Sequence, residues 1–288
     1  MTGPIGVFDS GVGGLTVLRA LRSALPAQDF VYLGDTARLP YGTKSPETVV
    51  RYSLQCADAL LARGIGCLVV ACNTASASAL PQLRARHPGT PVIGVIEPGA
   101  KAAVAASRSN HIAIIGTEGT VNGCAYQRAI HRLNGAIRVT AQACSLFVAM
   151  AEEGWIDGPI AEGVARRYLE PIFSATAANS GAPDTLVLGC THFPVLAGVI
   201  RAVLPGTVRI VDSAATVAAA VAQATAAAAD LAKTAAAPAV APAPDSPPQH
   251  GRGTVKWLAT DGAARFARVS RIFLAEPLQA DEIEIIDL

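Results

Sequence analysis

The fold is decided by two stretches of similar sequence, Leu68-Val69-Val70-Ala71-Cys72-Asn73-Thr74 and Leu186-Val187-Leu188-Gly189-Cys190-Thr191-His192. Each is a run of apolar, strand-forming residues followed by a small residue, a cysteine and two side chains that can hydrogen-bond. They are too distant to form one local motif, and each lies in a different half of the chain. A cysteine just past the carboxyl end of a buried strand lies where open α/β sheets bind ligands. The two stretches therefore predict a site with one thiol on each side.

Around the first stretch, apolar runs alternate with segments of helical period, which is typical of a parallel α/β sheet. Strands are predicted at residues 5–8, 30–33, 67–71 and 91–96, and helices at 15–24, 47–63 and 75–86. The second helix has a good start signal, with Ser45 as its cap, Pro46 at its first position and Glu47 in its first turn. The first half is therefore expected to form a parallel sheet with helices between its strands.

The second half repeats this plan, with strands expected to begin near Ile112, Ile137, Thr185 and Val208. Ile5-Gly6-Val7-Phe8-Asp9-Ser10-Gly11 is similar to Ile112-Ala113-Ile114-Ile115-Gly116-Thr117-Glu118-Gly119, and both cysteine stretches fall on the third strand. Any α/β chain shows regularly spaced strands, which is a simpler explanation of the spacing alone. The matching cysteine positions favour a fold of two related α/β halves that face each other.

Composition limits the class of protein and its partners. The hydrophobic share is 51%, the charged share is 16% and the formal net charge is +1. A charge this weak argues against a nucleic-acid partner. The N-terminal residues lack a basic leader and a long apolar run, and the alanine-rich stretch 214–229 is interpreted as a packed helix. We therefore expect a cytoplasmic protein without a membrane segment, in which thiols stay reduced.

The six cysteines include no CxxC pair, so neither a disulfide framework nor a zinc site is expected. Four are interpreted as small buried hydrophobic residues: Cys56, Cys67, Cys124 and Cys144. Cys72 and Cys190 differ, because each ends a strand and precedes residues that begin a helix. The positive end of a helix lowers the pKa of a thiol, which makes it a competent base or nucleophile near neutral pH. The residues after them, Asn73, Thr74, Thr191 and His192, could hold a polar substrate.

Two loops follow the first two strands. In Asp9-Ser10-Gly11-Val12-Gly13-Gly14, the glycines allow backbone N–H groups to approach a carboxylate or small phosphate, although the pattern matches no nucleotide-binding motif. Asp9 could orient a catalytic group or cap the helix. In Pro40-Tyr41-Gly42, a turn could face the pocket, or Tyr41 could be a packing lid.

Three function classes fit these features. A cysteine hydrolase with His192 beside Cys190 needs one thiol and leaves Cys72 unexplained. A two-lobed binding protein gives neither thiol a purpose. Racemisation by proton transfer uses two equivalent acid/base groups on opposite faces of one carbon, which matches a pair of thiols. The sequence has no evident pyridoxal-binding pattern, so a carbanion would be stabilised by dipoles of the site itself.

The chain resembles the glutamate racemases of bacterial cell-wall synthesis, within the wider aspartate/glutamate racemase superfamily. The resemblance is carried by several motifs in order: Gly6-Val7-Phe8-Asp9-Ser10-Gly11-Val12-Gly13-Gly14-Leu15-Thr16-Val17, Tyr32-Leu33-Gly34-Asp35-Thr36-Ala37 with Pro40-Tyr41-Gly42, Ala71-Cys72-Asn73-Thr74-Ala75-Ser76, Val92-Ile93-Gly94-Val95-Ile96-Glu97-Pro98-Gly99 and Gly189-Cys190-Thr191-His192-Phe193-Pro194. An aspartate racemase or another member of the superfamily remains an alternative, because the shared chemistry says little about the length of the substrate side chain.

The resemblance implies two pseudo-symmetric α/β domains with mainly parallel sheets and the active site at their interface. The implied boundaries are 1–97 plus 209–288 for the first domain and 98–208 for the second, with a flexible Ala/Pro-rich insertion at 235–253 that the family pattern lacks. It also implies interconversion of L- and D-glutamate without cofactor or metal, for peptidoglycan synthesis, by a cytoplasmic homodimer.

The roles of individual residues follow from the same resemblance. Cys72 would take the proton from D-glutamate with help from Asp9, and Cys190 would take it from L-glutamate with help from His192 and Glu152. Glu153, beside Glu152, leaves the last assignment open. The residues implied to bind substrate are Asp9, Ser10, Tyr41, Gly42, Asn73, Thr74, Thr191 and His192.

Overall fold

The structure is a computed structural model that describes residues 3–174, 181–235 and 252–288. The strands are β1 (Ile5–Asp9), β2 (Phe30–Gly34), β3 (Cys67–Val70), β4 (Val92–Gly94), β5 (His111–Gly116), β6 (Arg138–Ala143), β7 (Thr185–Gly189), β8 (Arg209–Asp212), β9 (Val255–Ala259) and β10 (Ile283–Ile285). The helices are α1 (Leu15–Ala24), α2 (Pro46–Leu61), α3 (Asn73–Arg86), α4 (Ile96–Ala106), α5 (Glu118–Asn122), α6 (Ala125–Leu133), α7 (Leu146–Glu153), α8 (Gly158–Phe173), α9 (Ala197–Val203), α10 (Ser213–Ala235) and α11 (Ala263–Leu274).

The strands form two parallel sheets with the same core topology. The first has the order β10-β9-β2-β1-β3-β4 and the second the order β6-β5-β7-β8. In each sheet, the first strand of a half lies between the second and third, and the fourth follows the third, with every pair parallel. The register agrees as well, since Ile5 pairs with Cys67 and Ile112 pairs with Thr185. The prediction of two related α/β halves with mainly parallel sheets is confirmed.

The expected domain boundary at residue 209 is wrong for β8. This strand pairs with β7 of the second sheet, where Thr185 is opposite Arg209 and Leu188 is opposite Asp212. Its backbone groups need a partner strand, and the open edge of β7 supplies one in the position that β4 occupies beside β3. The segment that returns toward the first sheet therefore begins no earlier than α10.

The chain segment after β3 differs from the sequence prediction at one place. The strand expected at 91–96 stops at Gly94, and α4 begins at Ile96. Pro98 then lies in the first turn of α4, where a fixed φ and a missing N–H cost least. By contrast, the start of α2 is confirmed, because Ser45 accepts a hydrogen bond from the backbone N–H of Thr48 and Pro46 is the first helical residue.

Helices α1 and α10 join the two halves. They pack against each other, and the fully buried Leu18 and Val217 belong to one apolar cluster with Val69 of the first sheet and Leu188 of the second. The alanine-rich stretch predicted as a packed helix is thus the first part of α10. Within the described ranges, no helix combines the length and the apolar character that crossing a bilayer requires.

The C-terminal strands β9 and β10 extend the first sheet beyond β2. The sequence predicts a strand at 255–260 and a short helix at 266–273, whereas residues 283–286, predicted only as a tail, contain β10. Most of the expected insertion at 235–253, namely 236–251, lies outside the described residues.

Candidate active site

A cavity of about 40 Å³ lies where loops from both sheets meet. Its lining residues are Ser10, Pro40, Tyr41, Gly42, Cys72, Asn73, Thr74, Thr117, Val148, Cys190, Thr191 and His192. The two cysteines predicted from the opening stretches therefore line the same space, one from each half of the fold. A cavity needs about 10–15 Å³ to hold one water molecule, so this one has room for only a few waters. The cavity must consequently widen to admit a ligand as large as an amino acid.

Cys72 is the cap residue of α3 and is 5% exposed. Its Sγ accepts a hydrogen bond from the backbone N–H of Ala75 at 3.4 Å and lies 3.4 Å from Oγ of Ser10. Burial, followed by the negative charge of Asp9, raises the pKa of the thiol to about 12. The expectation that the helix end lowers this pKa is therefore wrong, because desolvation and a nearby carboxylate outweigh the helix dipole.

Cys190 has a different environment. It follows β7, but the next residues form a short 3₁₀ turn, Phe193–Leu196, and α9 begins only at Ala197. The predicted helix start directly after this cysteine is thus wrong. The positive group near the thiol is instead the imidazole of His192, whose Nδ1 lies 3.7 Å from Sγ.

His192 is held by a carboxylate on its other side. Its Nε2 lies 3.0 Å from Oε1 of Glu152, whose Oε2 accepts a hydrogen bond from Arg265 at 2.7 Å. Burial alone would lower the pKa of His192, but the hydrogen bonds to Cys190 and Glu152 raise it to about 10. Burial alone would raise the pKa of the Glu152 carboxyl, but the hydrogen bonds and charges of His192 and Arg265 lower it. The imidazole is therefore a cation at neutral pH. Of the two adjacent glutamates, Glu152 is the one that contacts His192, whereas Glu153 is exposed.

Asp9 lies at the end of β1 and is fully buried. Its Oδ2 accepts a hydrogen bond from the backbone N–H of Gly11 at 2.9 Å, whereas Oδ1 has no partner among the described residues. Burial raises the pKa of this carboxyl, against the opposing charge of His192 and backbone N–H groups of the loop. The N–H group of Gly11 that was expected to approach a ligand anion thus serves the protein's own carboxylate.

Gly13 allows the two halves to approach closely at this point. A Cβ at this position would lie 2.4 Å from Oγ1 of Thr191 and 2.5 Å from Nδ1 of His192. The first loop is therefore packed directly against the residues that follow Cys190. This contact fixes the position of His192 relative to its thiol.

The polar residues after the two cysteines make contacts that join both halves. Asn73 accepts a hydrogen bond through Oδ1 from the hydroxyl of Tyr126 at 2.8 Å. Oγ1 of Thr74 lies 2.9 Å from Oγ1 of Thr117, and the carbonyl of Thr191 accepts a hydrogen bond from Thr16 at 3.0 Å. The polar residues that follow the two cysteines and were predicted to bind substrate all line the cavity: Asn73, Thr74, Thr191 and His192.

The hydroxyl of Tyr41 donates to the buried carboxylate of Asp35 and lies 3.9 Å from Sγ of Cys56. Asp35 also accepts hydrogen bonds from Arg38 and Thr260. Of the two interpretations of this loop, the packing lid agrees with the direction of the hydroxyl. Tyr41 and Gly42 still line the cavity, so the Asp35 network fixes one of its walls.

Several residues of the site were not predicted from the sequence. Thr117 corresponds to Ser10 in the internal repeat, so comparison of the two halves could have found it. No local sequence pattern marks the other three residues, because they reach the site from separate helices: Val148 from α7, Tyr126 from α6 and Arg265 from α11. Cys124 was predicted to be buried but is exposed, and it lies at a left-handed position (φ 50°) directly before α6. Cys56, Cys67 and Cys144 are buried as predicted.

Two buried thiols at equivalent strand ends of two related sheets define the class of protein. The chain belongs to the Asp/Glu/Hydantoin racemase family, whose family model matches residues 5–224. The resemblance stated from the motifs is thereby confirmed.

Individual relatives narrow the comparison. The glutamate racemase of Geobacter metallireducens is 54% identical over 214 residues, which cover 74% of this chain and 77% of that protein. The glutamate racemase of Koribacter versatilis is 43% identical over 290 residues, covering 99% of this chain and 97% of that protein. The crystal structure of glutamate racemase from Francisella tularensis in complex with D-glutamate has a TM-score of 0.81 at 33% identity, covering 99% of this chain and 97% of that one. The prediction that the chain is an amino-acid racemase, and thus an isomerase, is confirmed by these relatives.

Proposed function

We propose that the protein interconverts L- and D-glutamate by direct proton transfer between Cα and two thiols, without a cofactor. The observation that supports this most strongly is the presence of Cys72 and Cys190 in one cavity at equivalent ends of two related sheets. Racemisation exchanges the roles of base and acid between the two enantiomers. Two groups of the same chemical kind, one contributed by each half, are what such a reaction needs.

The charges around the thiols favour one direction of attack in the resting protein. Cys72 is a thiol at neutral pH, because burial and Asp9 raise its pKa to about 12. Cys190 lies beside the imidazolium of His192, and in this direction of the reaction it would act as the base. The thiolate of Cys190 would remove the Cα proton of L-glutamate, and the Cys72 S–H would deliver its proton to the opposite face.

This step conserves charge. After L-glutamate becomes D-glutamate, Cys190 carries the proton and Cys72 is the thiolate, which is the form that accepts the Cα proton of D-glutamate. Asp9, whose Oδ1 has no partner in the described part of the chain, would take part in moving a proton to and from Cys72. Glu152 would hold His192 in its cationic form for Cys190.

The substrate would be held by the polar residues that line the cavity from both halves. These are Ser10, Asn73, Thr74, Thr191 and His192, with Tyr41 and Gly42 forming the wall beside them. Asp9 is fully buried and does not line this cavity, so it would act on Cys72 more than on the substrate. The N-terminus of α3, at Asn73, would stabilise negative charge as the proton leaves Cα.

The decisive experiment incubates the purified protein with L-glutamate in deuterated water without added cofactor. Chiral chromatography should show D-glutamate, and proton NMR should show loss of the Cα–H signal as deuterium enters. Parallel assays with L-aspartate distinguish a glutamate racemase from an aspartate racemase. Absence of racemisation, with tight binding of glutamate in calorimetry, would instead indicate a binding protein.

The two-thiol mechanism is tested by Cys72→Ala and Cys190→Ala. Each should lower turnover by about 10²–10⁴-fold or more, because each removes a general acid/base group. Cys124→Ser is the matched control, since this exposed cysteine lies outside the cavity and its substitution should leave turnover unchanged. Full racemisation by either alanine variant would exclude the mechanism.

The cellular role proposed with this activity is the supply of D-glutamate for peptidoglycan synthesis in the cytoplasm by a homodimer. Light scattering of the purified protein would measure the oligomeric state. Loss of the gene should make growth of the host depend on added D-glutamate.

A further inference from the structure

Tyr126 connects the surroundings of the two catalytic cysteines. It lies on α6 in the second half of the fold and is fully buried. Its hydroxyl donates to Oδ1 of Asn73, the residue directly after Cys72, at 2.8 Å. Nothing in the motifs of the two cysteine stretches points to this residue.

The ring of Tyr126 is seated between two glycines, so its hydroxyl has a fixed position. A Cβ at Gly99 would lie 3.1 Å from Cε1 and 3.2 Å from the hydroxyl oxygen. A Cβ at Gly189, the residue directly before Cys190, would lie 3.2 Å from Cε2. The ring therefore contacts the strand end that carries Cys190, while its hydroxyl contacts the helix start after Cys72.

This contact decides which end of the Asn73 amide is left without a partner. The hydroxyl occupies Oδ1, and Nδ2 is buried without a hydrogen-bond acceptor among the described residues. Burial raises the pKa of Tyr126, so the hydroxyl keeps its proton and acts as a donor throughout the working pH range. Asn73, which is 3% exposed, therefore has an amide oxygen already engaged by Tyr126 and two N–H donors without a partner among the described residues.

We propose that Tyr126 is a positioning residue that fixes the Asn73 amide so that its N–H groups donate to a carboxylate of the substrate. A carboxylate oxygen accepts such a hydrogen bond, whereas the ammonium group of an amino acid cannot. Asn73 therefore helps to determine which end of the amino acid lies beside Cys72. This inference rests on the proposed racemisation of glutamate.

Tyr126→Phe tests the proposal, because it removes the hydroxyl and keeps the ring between the two glycines. KM for L-glutamate should rise about 5- to 10-fold, which corresponds to the loss of one hydrogen bond, while kcat changes less than about twofold. Tyr168→Phe is the matched control. Its hydroxyl accepts a hydrogen bond from the backbone N–H of Leu146 outside the cavity, and KM should not change.

A double-mutant cycle separates positioning from a structural effect. In an Asn73→Ala background there is no amide to orient, so Tyr126→Phe should have no further effect on KM. The same increase in both backgrounds would overturn the proposal, as would an unchanged KM in the single variant.

Two further measurements keep the test decisive. If Tyr126→Phe fails to fold, Asn73→Asp replaces the donor by a carboxylate that repels the substrate; a KM equal to that of the wild type would then contradict the proposal. If the wild-type protein does not racemise glutamate, the proposed function fails, and calorimetric titration of D-glutamate into both proteins decides on Tyr126 separately. Weaker binding by Tyr126→Phe would support the inference, and equal binding would overturn it.

Discussion

Glu152 and His192 form a largely buried ion pair, with Oε1 of Glu152 3.0 Å from Nε2 of His192. This pair places a cation beside Cys190, whereas the carboxylate of Asp9 acts on Cys72 and contributes to the rise of its pKa. The two halves are therefore related in topology but different in charge.

Glu152→Gln removes the anion that holds His192 in its cationic form. The pKa of His192 should fall from about 10, so the imidazolium should lose its proton at a lower pH. The pH profile of kcat/KM for L-glutamate should then decline at lower pH than in the wild type, with a loss of about tenfold or more at pH 8–9. Glu153→Gln, at the exposed neighbouring position, is the control. If kcat/KM of Glu152→Gln declined at the same pH as in the wild type, Glu152 would not support the charge on His192.

The same ion pair should make folding stability depend on pH. The pKa of His192 is 6.5 in its unperturbed form and about 10 in the folded protein, so its contribution is complete below pH 6.5 and is lost as pH rises through 10. Urea unfolding should show a decrease of the order of a few kcal/mol between pH 6.5 and pH 10. His192→Gln should reduce that decrease, while His131→Gln, on the exposed face of α6, should keep it. Equal slopes in all three proteins would contradict the prediction.

Gly13→Ala should disturb the catalytic pair on Cys190. The added Cβ would lie 2.5 Å from Nδ1 of His192, so the imidazole must move away from the thiol. Turnover of L-glutamate should fall by about 10²-fold, because a displacement of about 1 Å at a catalytic group has this effect. Gly163→Ala is the matched control, since a Cβ there meets nothing within 4 Å in the middle of α8. It should keep full activity and add about 0.5–1 kcal/mol of stability.

Tyr41→Phe should loosen the cavity wall formed by Pro40, Tyr41 and Gly42. Loss of the hydroxyl leaves the buried carboxylate of Asp35 with one donor fewer, which should cost about 1–3 kcal/mol in the free energy of unfolding. Thermal or urea unfolding measures this, and KM for glutamate should rise as the wall becomes less fixed. Tyr52→Phe is the control, because its ring packs on Tyr41 but its hydroxyl makes no hydrogen bond to Asp35. Equal stability of the two variants would contradict the role of the Asp35 contact.

The sequence alone predicted much of the fold, because most signals were local. Apolar runs of the right length located the strands, and the Ser45-Pro46-Glu47 start located α2. The internal repeat placed Cys72 and Cys190 on corresponding strands. The same repeat placed a strand beginning near Val208 fourth in the second half, where β8 lies. The boundary at residue 209 was implied only by the resemblance, and the pairing of β8 with β7 contradicts it.

The protonation behaviour of the site depended on contacts that no local pattern contains. The helix start after Cys72 predicted a lowered pKa, but burial and Asp9 raise it. Arg265 reaches Glu152 from a helix more than one hundred residues away in the sequence, and Tyr126 reaches Asn73 from the other half of the fold.

The sequence by itself determined the class of fold, the two thiols and the small polar residues beside them, because each is encoded by the order of neighbouring residues. Only the tertiary structure decided that both thiols line one cavity, that His192 is cationic and that the two opening stretches have unequal electrostatics. The physical reason is that burial and charge–charge distances depend on groups brought together from both sheets, so two similar stretches acquire different environments.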